Sequence, residues 1–148
     1  MPEPALIEEN HRSMDDADEK RRTRVLVVDD EEPVRALAER ALRNAGYEVA
    51  VASDGYEALR VVEAQGPFDL FVIDLVMPDM GGDELARRLR QSDPDAKILY
   101  FTGYGERLFE NRTVLWQREA ILEKPATMNE LREAVSLSLF GHVRGLEA

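Results

Sequence analysis

From Arg24 onward, short apolar runs alternate with segments of helical period. Val25 to Val28 is apolar without a polar alternation, which suits a strand buried on both faces, and it ends in Asp29-Asp30. Val34, Leu37, Ala38, Ala41 and Leu42 fall at i, i+3, i+4, i+7 and i+8, one face of a helix. Pro33 suits its first turn and Gly46 its C-terminal cap. Tyr47 to Ala52 predicts a second strand. Asp54 and Glu57 read as a capping box that opens a helix through Gln65, and Gly66-Pro67 breaks it. Leu70 to Ile73 predicts a third buried strand, ending at Asp74. After the loop MPDMGG a helix runs to about Gln91, with Leu85 and Leu89 one turn apart, and Ser92-Asp93-Pro94 turns the chain. Lys97 to Phe101 predicts a fourth strand, ending at Thr102-Gly103. Glu106 to Gln117 has a weak helical pattern, and Ala120 to Leu122 predicts a short fifth strand before Glu123-Lys124-Pro125. Thr127 and Glu130 form a second capping box, and Leu131, Ala134, Val135 and Ser138 carry a helix to about Phe140.

Five strands alternating with five helices predict an α/β fold, a doubly wound parallel sheet with helices on both faces. Right-handed crossovers put the C-terminal ends of all strands on one edge, where ligands of such sheets bind. Residues 1 to about 23 stand apart: two prolines, clustered acids and almost no apolar period read as a solvated, flexible extension. The alternative there is a short helix around Ala5 to Arg12 that docks on a partner. The folded domain is expected to span 24–145.

Composition narrows the chemistry. The chain has 148 residues, of which 44% are hydrophobic, enough for one domain with its own core. Thirty acidic residues against 19 basic ones give a net charge of -11, which argues against nucleic acid or an anionic membrane as the main partner. The absence of cysteine excludes disulfides, thiolate metal sites and cysteine nucleophiles. His11 and His142 lie near opposite ends and do not suggest a shared cluster. No apolar run approaches the roughly 18 residues of a membrane helix, so a cytoplasmic protein is expected.

The residues that end the strands are polar, and the fold brings them to one edge. Asp29 and Asp30 follow the first strand, Asp74 the third, Thr102 the fourth and Lys124 the fifth. Carboxylates about 4 Å apart at an effective dielectric near 20 repel by roughly 4 kcal/mol per pair, so positive charge must gather with them. Lys124 supplies one charge, and an all-oxygen donor set suits a hard divalent ion, best Mg2+. A carboxylate can attack phosphorus, and phosphoryl transfer then depends on positioning and on neutralising the equatorial oxygens. Asp74, on the strand expected at the centre, is the candidate nucleophile, and Thr102 offers a hydroxyl.

The segments VLVVDDEEPVR, DLFVIDLVMPDMGG, ILYFTGYGE and ILEKPAT, in this order across about residues 24 to 143, resemble the receiver domain of two-component response regulators. The likeness is to single-domain receivers of the chemotaxis-regulator type. It implies a flavodoxin-like five-stranded sheet in strand order 2-1-3-4-5. It implies that Asp74 accepts a phosphoryl group from a histidine kinase or a histidine phosphotransfer protein. It also implies direct Mg2+ binding by Asp30, water-mediated binding by Asp29, and further ligation by Asp74 and the backbone carbonyl of Val76. Thr102 would move towards the phosphoryl group, Lys124 would pair with it, and the Lys124-Pro125 bond would be cis. Output would pass to a downstream protein or to a second copy through the face of the fourth helix, fifth strand and fifth helix.

Some positions depart from the pattern. Three residues before Lys124, where many members carry an aromatic ring or histidine, stands Ile121, which is stiff at χ1. The two-position aromatic switch is therefore expected to be absent or altered, with the loop Gly103-Tyr104-Gly105 as another outlet. Val76 and Tyr104 are not acids or amides that would orient a hydrolytic water, which predicts slow loss of phosphate. Leu108, Phe109, Val114, Leu115 and Trp116 crowd apolar residues into the weakly helical segment, as core or as a partner surface.

Two other functions compete. A Mg2+-dependent phosphohydrolase resembling the haloacid-dehalogenase-like phosphatases would carry a second Asp two residues after the nucleophile, where Val76 stands. A binding module that kept the fold and lost the switch would not need the full set Asp29, Asp30, Asp74, Thr102 and Lys124. No basic helix-turn-helix segment is present, so the chain reads as a stand-alone receiver or as one receiver of a longer hybrid kinase.

Overall fold

The apolar runs form the strands of a parallel sheet in the computed structural model, which describes residues 23–105, 115 and 117–141. The order of elements is β1 (Arg24–Val28), α1 (Glu32–Asn44), β2 (Glu48–Ala52), α2 (Gly55–Gln65) and β3 (Leu70–Ile73). α3 (Gly82–Ser92), β4 (Ile98–Thr102), β5 (Glu119–Glu123) and α4 (Met128–Phe140) follow. The strands lie in the order β2-β1-β3-β4-β5 with every neighbouring pair parallel. This is the expected order, with the reversal between β1 and β3.

Each central strand feeds two cores because alternate residues point to opposite faces. Leu26 and Val28 of β1, Phe71 and Ile73 of β3, and Ile98 and Tyr100 of β4 pack with Ala58, Leu85 and Leu89 of α2 and α3. Val25, Val27, Leu70, Val72, Leu99 and Phe101 pack with Ala41 and Leu42 of α1 and Leu131 and Val135 of α4 on the other side. Both faces are covered, which is why β1, β3 and β4 read as continuous apolar runs.

Local signals set the element ends. Asp54 caps α2 by accepting the Glu57 N–H at 2.8 Å. Thr127 and Glu130 form a reciprocal capping box at α4, with bonds of 3.0 and 2.8 Å. Gly46 follows α1 at φ 99°, the left-handed conformation that suits a C-terminal cap. Sequence reading set strand ends within one residue: β4 begins at Ile98 and not Lys97, and β5 extends the expected Ala120–Leu122 by one residue on each side. The predicted fourth of five helices, Glu106 to Gln117, falls on 106–114 and 116, outside the described residues, as does the extension 1–22. Of its apolar residues Leu115 is described, and it packs partly buried against the core beneath α2 and α3.

One glycine fixes how closely the sheet edge and α3 approach. A Cβ on Gly82 would lie 2.2 Å from the Asp74 carbonyl oxygen and 2.9 Å from the Asp74 carbonyl carbon. Both atoms are backbone, so relief requires the loop after β3 to move. Gly82→Ala is therefore expected to destabilise the fold by about 1–3 kcal/mol, although alanine is the better helix former. Urea denaturation checks this; an unchanged midpoint would show that the loop yields freely.

Candidate functional site

The strand ends bring Asp29, Asp74, Thr102 and Lys124 to the carboxyl edge of the sheet. Asp29 and Asp74 immediately follow β1 and β3, and each backbone N–H continues the ladder. Asp29 donates to Ala52 O at 3.2 Å and Asp74 to Val28 O at 3.0 Å. Lys124 follows β5 and donates its N–H to Thr102 O at 3.0 Å. The backbone ladder thus aims three charged side chains at one point. Lys124 Nζ reaches Asp29 Oδ2 at 2.8 Å and Asp74 Oδ2 at 3.5 Å, and it stands 5.4 Å from the Phe101 ring centre. The two carboxylates are almost wholly buried, at 2% and 4% exposure.

A third carboxylate joins them. Asp29, Glu31 and Asp74 each offer an oxygen, and these oxygens lie within 4.8 Å of one another. The resemblance implies direct cation binding by Asp30 and a water-mediated role for Asp29. In the structure Asp29 is buried within this group of oxygens, and Asp30, next in the turn, is exposed. The reason is the turn after β1. Glu31 N–H donates to Asp29 Oδ1 at 2.9 Å, and Glu31 itself is extended, with φ −90° and ψ 113°. An extended chain places residues i and i+2 on one side. That spacing from Asp29 was the available signal for Glu31, which the sequence reading passed over.

Burial pushes the Asp29 carboxyl above its usual 3.8, even though the Lys124 hydrogen bond and charge pull it down. Burial also works against the Lys124 ammonium, but its bond to Asp29 and the charges of Asp29, Asp74 and Glu31 outweigh this and raise it above 10.5. One lysine thus serves three clustered carboxylates, and the buried Asp29 is held ionised at a cost. The donor set is all oxygen and net negative, which fits a hard divalent cation and not a soft or imidazole-seeking one.

The remaining expected residues lie on β4 and β5 or in the loops that follow β3 and β4. The Thr102 hydroxyl is fully buried and accepts the Tyr104 N–H at 3.1 Å. Val76 lies two residues past Asp74, 36% exposed, with its N–H 3.4 Å from Asp74 Oδ1. The Tyr104 side chain is exposed. Ile121 is partly buried on β5, where Gly105 packs so closely that a Cβ there would lie 3.1 Å from Ile121 Cδ1 and 2.9 Å from Glu123 Oε1. The Lys124-Pro125 bond is cis, as expected, and so is Gly66-Pro67.

In metal-free buffer the buried Asp29 charge is a liability. Its raised pKa means that the stability gained by protonation is full below 3.8 and is lost as pH rises through the folded value. Asp29→Asn removes this buried charge but also the charged partner of the buried Lys124 ammonium, so the two effects oppose and the net change without cation is expected to be small. Added Mg2+ is expected to stabilise the parent, by about 2.7 kcal/mol at a hundredfold excess over Kd, and the variant much less. Thermal melts with and without Mg2+ check both; equal Mg2+ shifts in the two proteins would remove Asp29 from the cation site.

Known proteins resemble this chain. The response regulator receiver domain family matches residues 25–136. The sensor kinase CckA of Brucella abortus is 39% identical over 112 residues, covering 75% of this chain and 12% of that kinase. The response regulator receiver protein CpdR of the same organism is 34% identical over 108 residues, covering 73% of this chain and 89% of CpdR. Among solved structures, the response regulator TrrA of Thermotoga maritima, in complex with Mg(2+)-BeF, superposes with a TM-score of 0.67 at 33% identity, covering 79% of this chain and 99% of TrrA. The chain spans about an eighth of CckA and most of CpdR. With the sheet order, the acidic edge and the match over residues 25–136 in agreement, the chain belongs to the response regulator receiver domain family and is a receiver of two-component phosphorelay signalling.

Proposed function

We propose that Asp74 is the phosphoacceptor of this receiver and that Asp29, Asp30 and Asp74, with the backbone carbonyl of Val76 and with Glu31 beside them, hold Mg2+. The observation that carries this reading is the buried Asp29–Lys124–Asp74 cluster, with two acids on one ammonium and a third carboxylate beside them. A stable fold has no need for such a concentration of like charge, whereas a group-transfer site does.

The chemistry follows from the positions. A carboxylate oxygen of Asp74 attacks the phosphorus of a phosphohistidine from a histidine kinase or phosphotransfer protein. An O–P bond forms, the N–P bond breaks, and the imidazole nitrogen leaves with the electron pair and takes a proton. Bound Mg2+ would supply the charge neutralisation that lets two anions meet. Lys124 lies between Asp29 and Asp74, placed to pair with an incoming phosphoryl oxygen. The Thr102 hydroxyl, now the acceptor of the Tyr104 N–H, can donate to another oxygen when its loop moves. The chain catalyses no other turnover in this reading. Output passes to a downstream protein, or to a second copy, on the face of β5 and α4, where Ile121 and the exposed Leu137 line one groove.

Incubation with Mg2+ and acetyl phosphate should add one phosphoryl group by intact mass, and neither Asp74→Asn nor the metal-free parent should gain it. No gain in the parent, repeated with phosphohistidine donors, would leave a binding module.

Retention of the phosphoryl group is a separate expectation. Val76 follows Asp74 by two residues and Tyr104 follows Thr102 by two, and neither side chain is a carboxylate or amide that would orient water. The double variant Val76→Asn, Tyr104→Glu should therefore lose phosphate about tenfold faster or more, since positioned acid–base groups are worth at least that. Decay of the phosphorylated mass measures it, and equal half-lives would exclude the two side chains as the cause.

A further inference from the structure

The turn that carries Asp29 and Glu31 is held from one side by a residue that no part of the phosphotransfer reading uses. The β1–β3 ladder ends where Val28 O accepts the Asp74 N–H, so Asp29 O is the first carbonyl beyond it. The Arg35 guanidinium, half-buried on the first turns of α1, donates from Nη1 to that carbonyl at 2.7 Å. The backbone of the same residue donates its N–H to Glu31 O at 3.0 Å. Arg35 therefore grips both ends of the Asp29-Asp30-Glu31 turn, and the Asx bond from Glu31 N–H to Asp29 Oδ1 closes its middle.

The choice of partner is informative. Arg35 lies four residues after Glu31 and four before Glu39, so an ordinary surface ion pair along the helix was open to it. Glu39 instead pairs with Arg43, and the Arg35 side chain reaches back off the helix to a main-chain oxygen. A charge-assisted bond to a backbone carbonyl orients that carbonyl without neutralising the acids that must stay free for a cation. The carboxylates beside it repel one another, and a turn that can relax would let them separate. Holding the turn keeps the oxygens of Asp29 and Glu31 within 4.8 Å of Asp74 before any ion arrives.

We propose that Arg35 is a positioning residue for phosphoryl transfer, acting through the β1–α1 turn to preorganise the carboxylates for Mg2+. The inference rests on the cation-assisted reading above. Partners one step removed from metal ligands typically set affinity by 10- to 100-fold.

The test is calorimetric titration of Mg2+ into the metal-free full chain, without phosphodonor. Arg35→Met keeps the apolar stem and removes the donor, and it should weaken Mg2+ binding about tenfold or more. Arg35→Lys should recover part of the loss, because it restores a donor but not the planar fork. With acetyl phosphate, the Mg2+ concentration needed for half-maximal labelling of Asp74 should rise in step, while the rate at saturating Mg2+ changes little. A folded Arg35→Met protein with parental Mg2+ affinity overturns the proposal, and so does a lowered melting temperature with unchanged affinity, which marks a purely structural brace. If Arg35→Met does not fold, Arg35→Gln, which is too short to span the same gap, is read by the same criteria. A parent that neither binds Mg2+ nor gains a phosphoryl group removes the underlying reading instead.

Discussion

Lys124 is the side chain on which the carboxyl edge of this sheet depends. Its ammonium lies 2.8 Å from Asp29 and 3.5 Å from Asp74, and both acids are almost completely excluded from water. An ionised carboxylate that is buried and unpaired is expensive, and two of them side by side would spread the ends of β1 and β3. The lysine offsets part of this cost, and burial still pushes the Asp29 carboxyl up. A hard divalent cation would offset more of it.

Two structural devices keep the acids where they are. Backbone hydrogen bonds from Asp29 and Asp74 extend the parallel ladder one residue past the last apolar side chain, so each carboxylate leaves the strand with a fixed direction. Gly82 then lets α3 begin against the Asp74 carbonyl, where any side chain would meet backbone. The two-faced core below is what makes this edge rigid. Since both faces of β1, β3 and β4 are packed, a shift of one strand by a single residue would exchange two filled cores.

Most of the fold was legible because its signals are local or periodic. Continuous apolar runs marked the strands buried twice over. Helical spacing at Val34 to Leu42 and the capping box of Thr127 and Glu130 marked α1 and α4. Strand ends drifted by a residue where a boundary residue can lie on either side, as at Lys97, whose ammonium reaches Leu139 O on α4. The site was legible down to Asp29, Asp74, Thr102 and Lys124, since each directly ends a strand or follows one. It was less legible one residue further on. Asp30 and Glu31 are both acids, and only the turn conformation decides which joins the cluster. A hydrogen bond from a helix side chain back to a strand carbonyl, such as that of Arg35, leaves no periodic trace at all.

The absence of an aromatic residue at Ile121 becomes a mechanical question once the loop beside it is in view. A ring can turn about χ1 into a cavity and so report a movement elsewhere, whereas a β-branched aliphatic side chain has little such freedom. Ile121 would therefore have to respond by contact. Gly105 packs beside it, so that an added Cβ would lie 3.1 Å from Ile121 Cδ1. Three residues earlier the Thr102 hydroxyl accepts the Tyr104 N–H, which ties the loop to the end of β4. Were that hydroxyl to turn and donate elsewhere, its hold on Tyr104 would change, and a displacement of the backbone between Thr102 and Gly105 would reach Ile121 in place of a side-chain rotation.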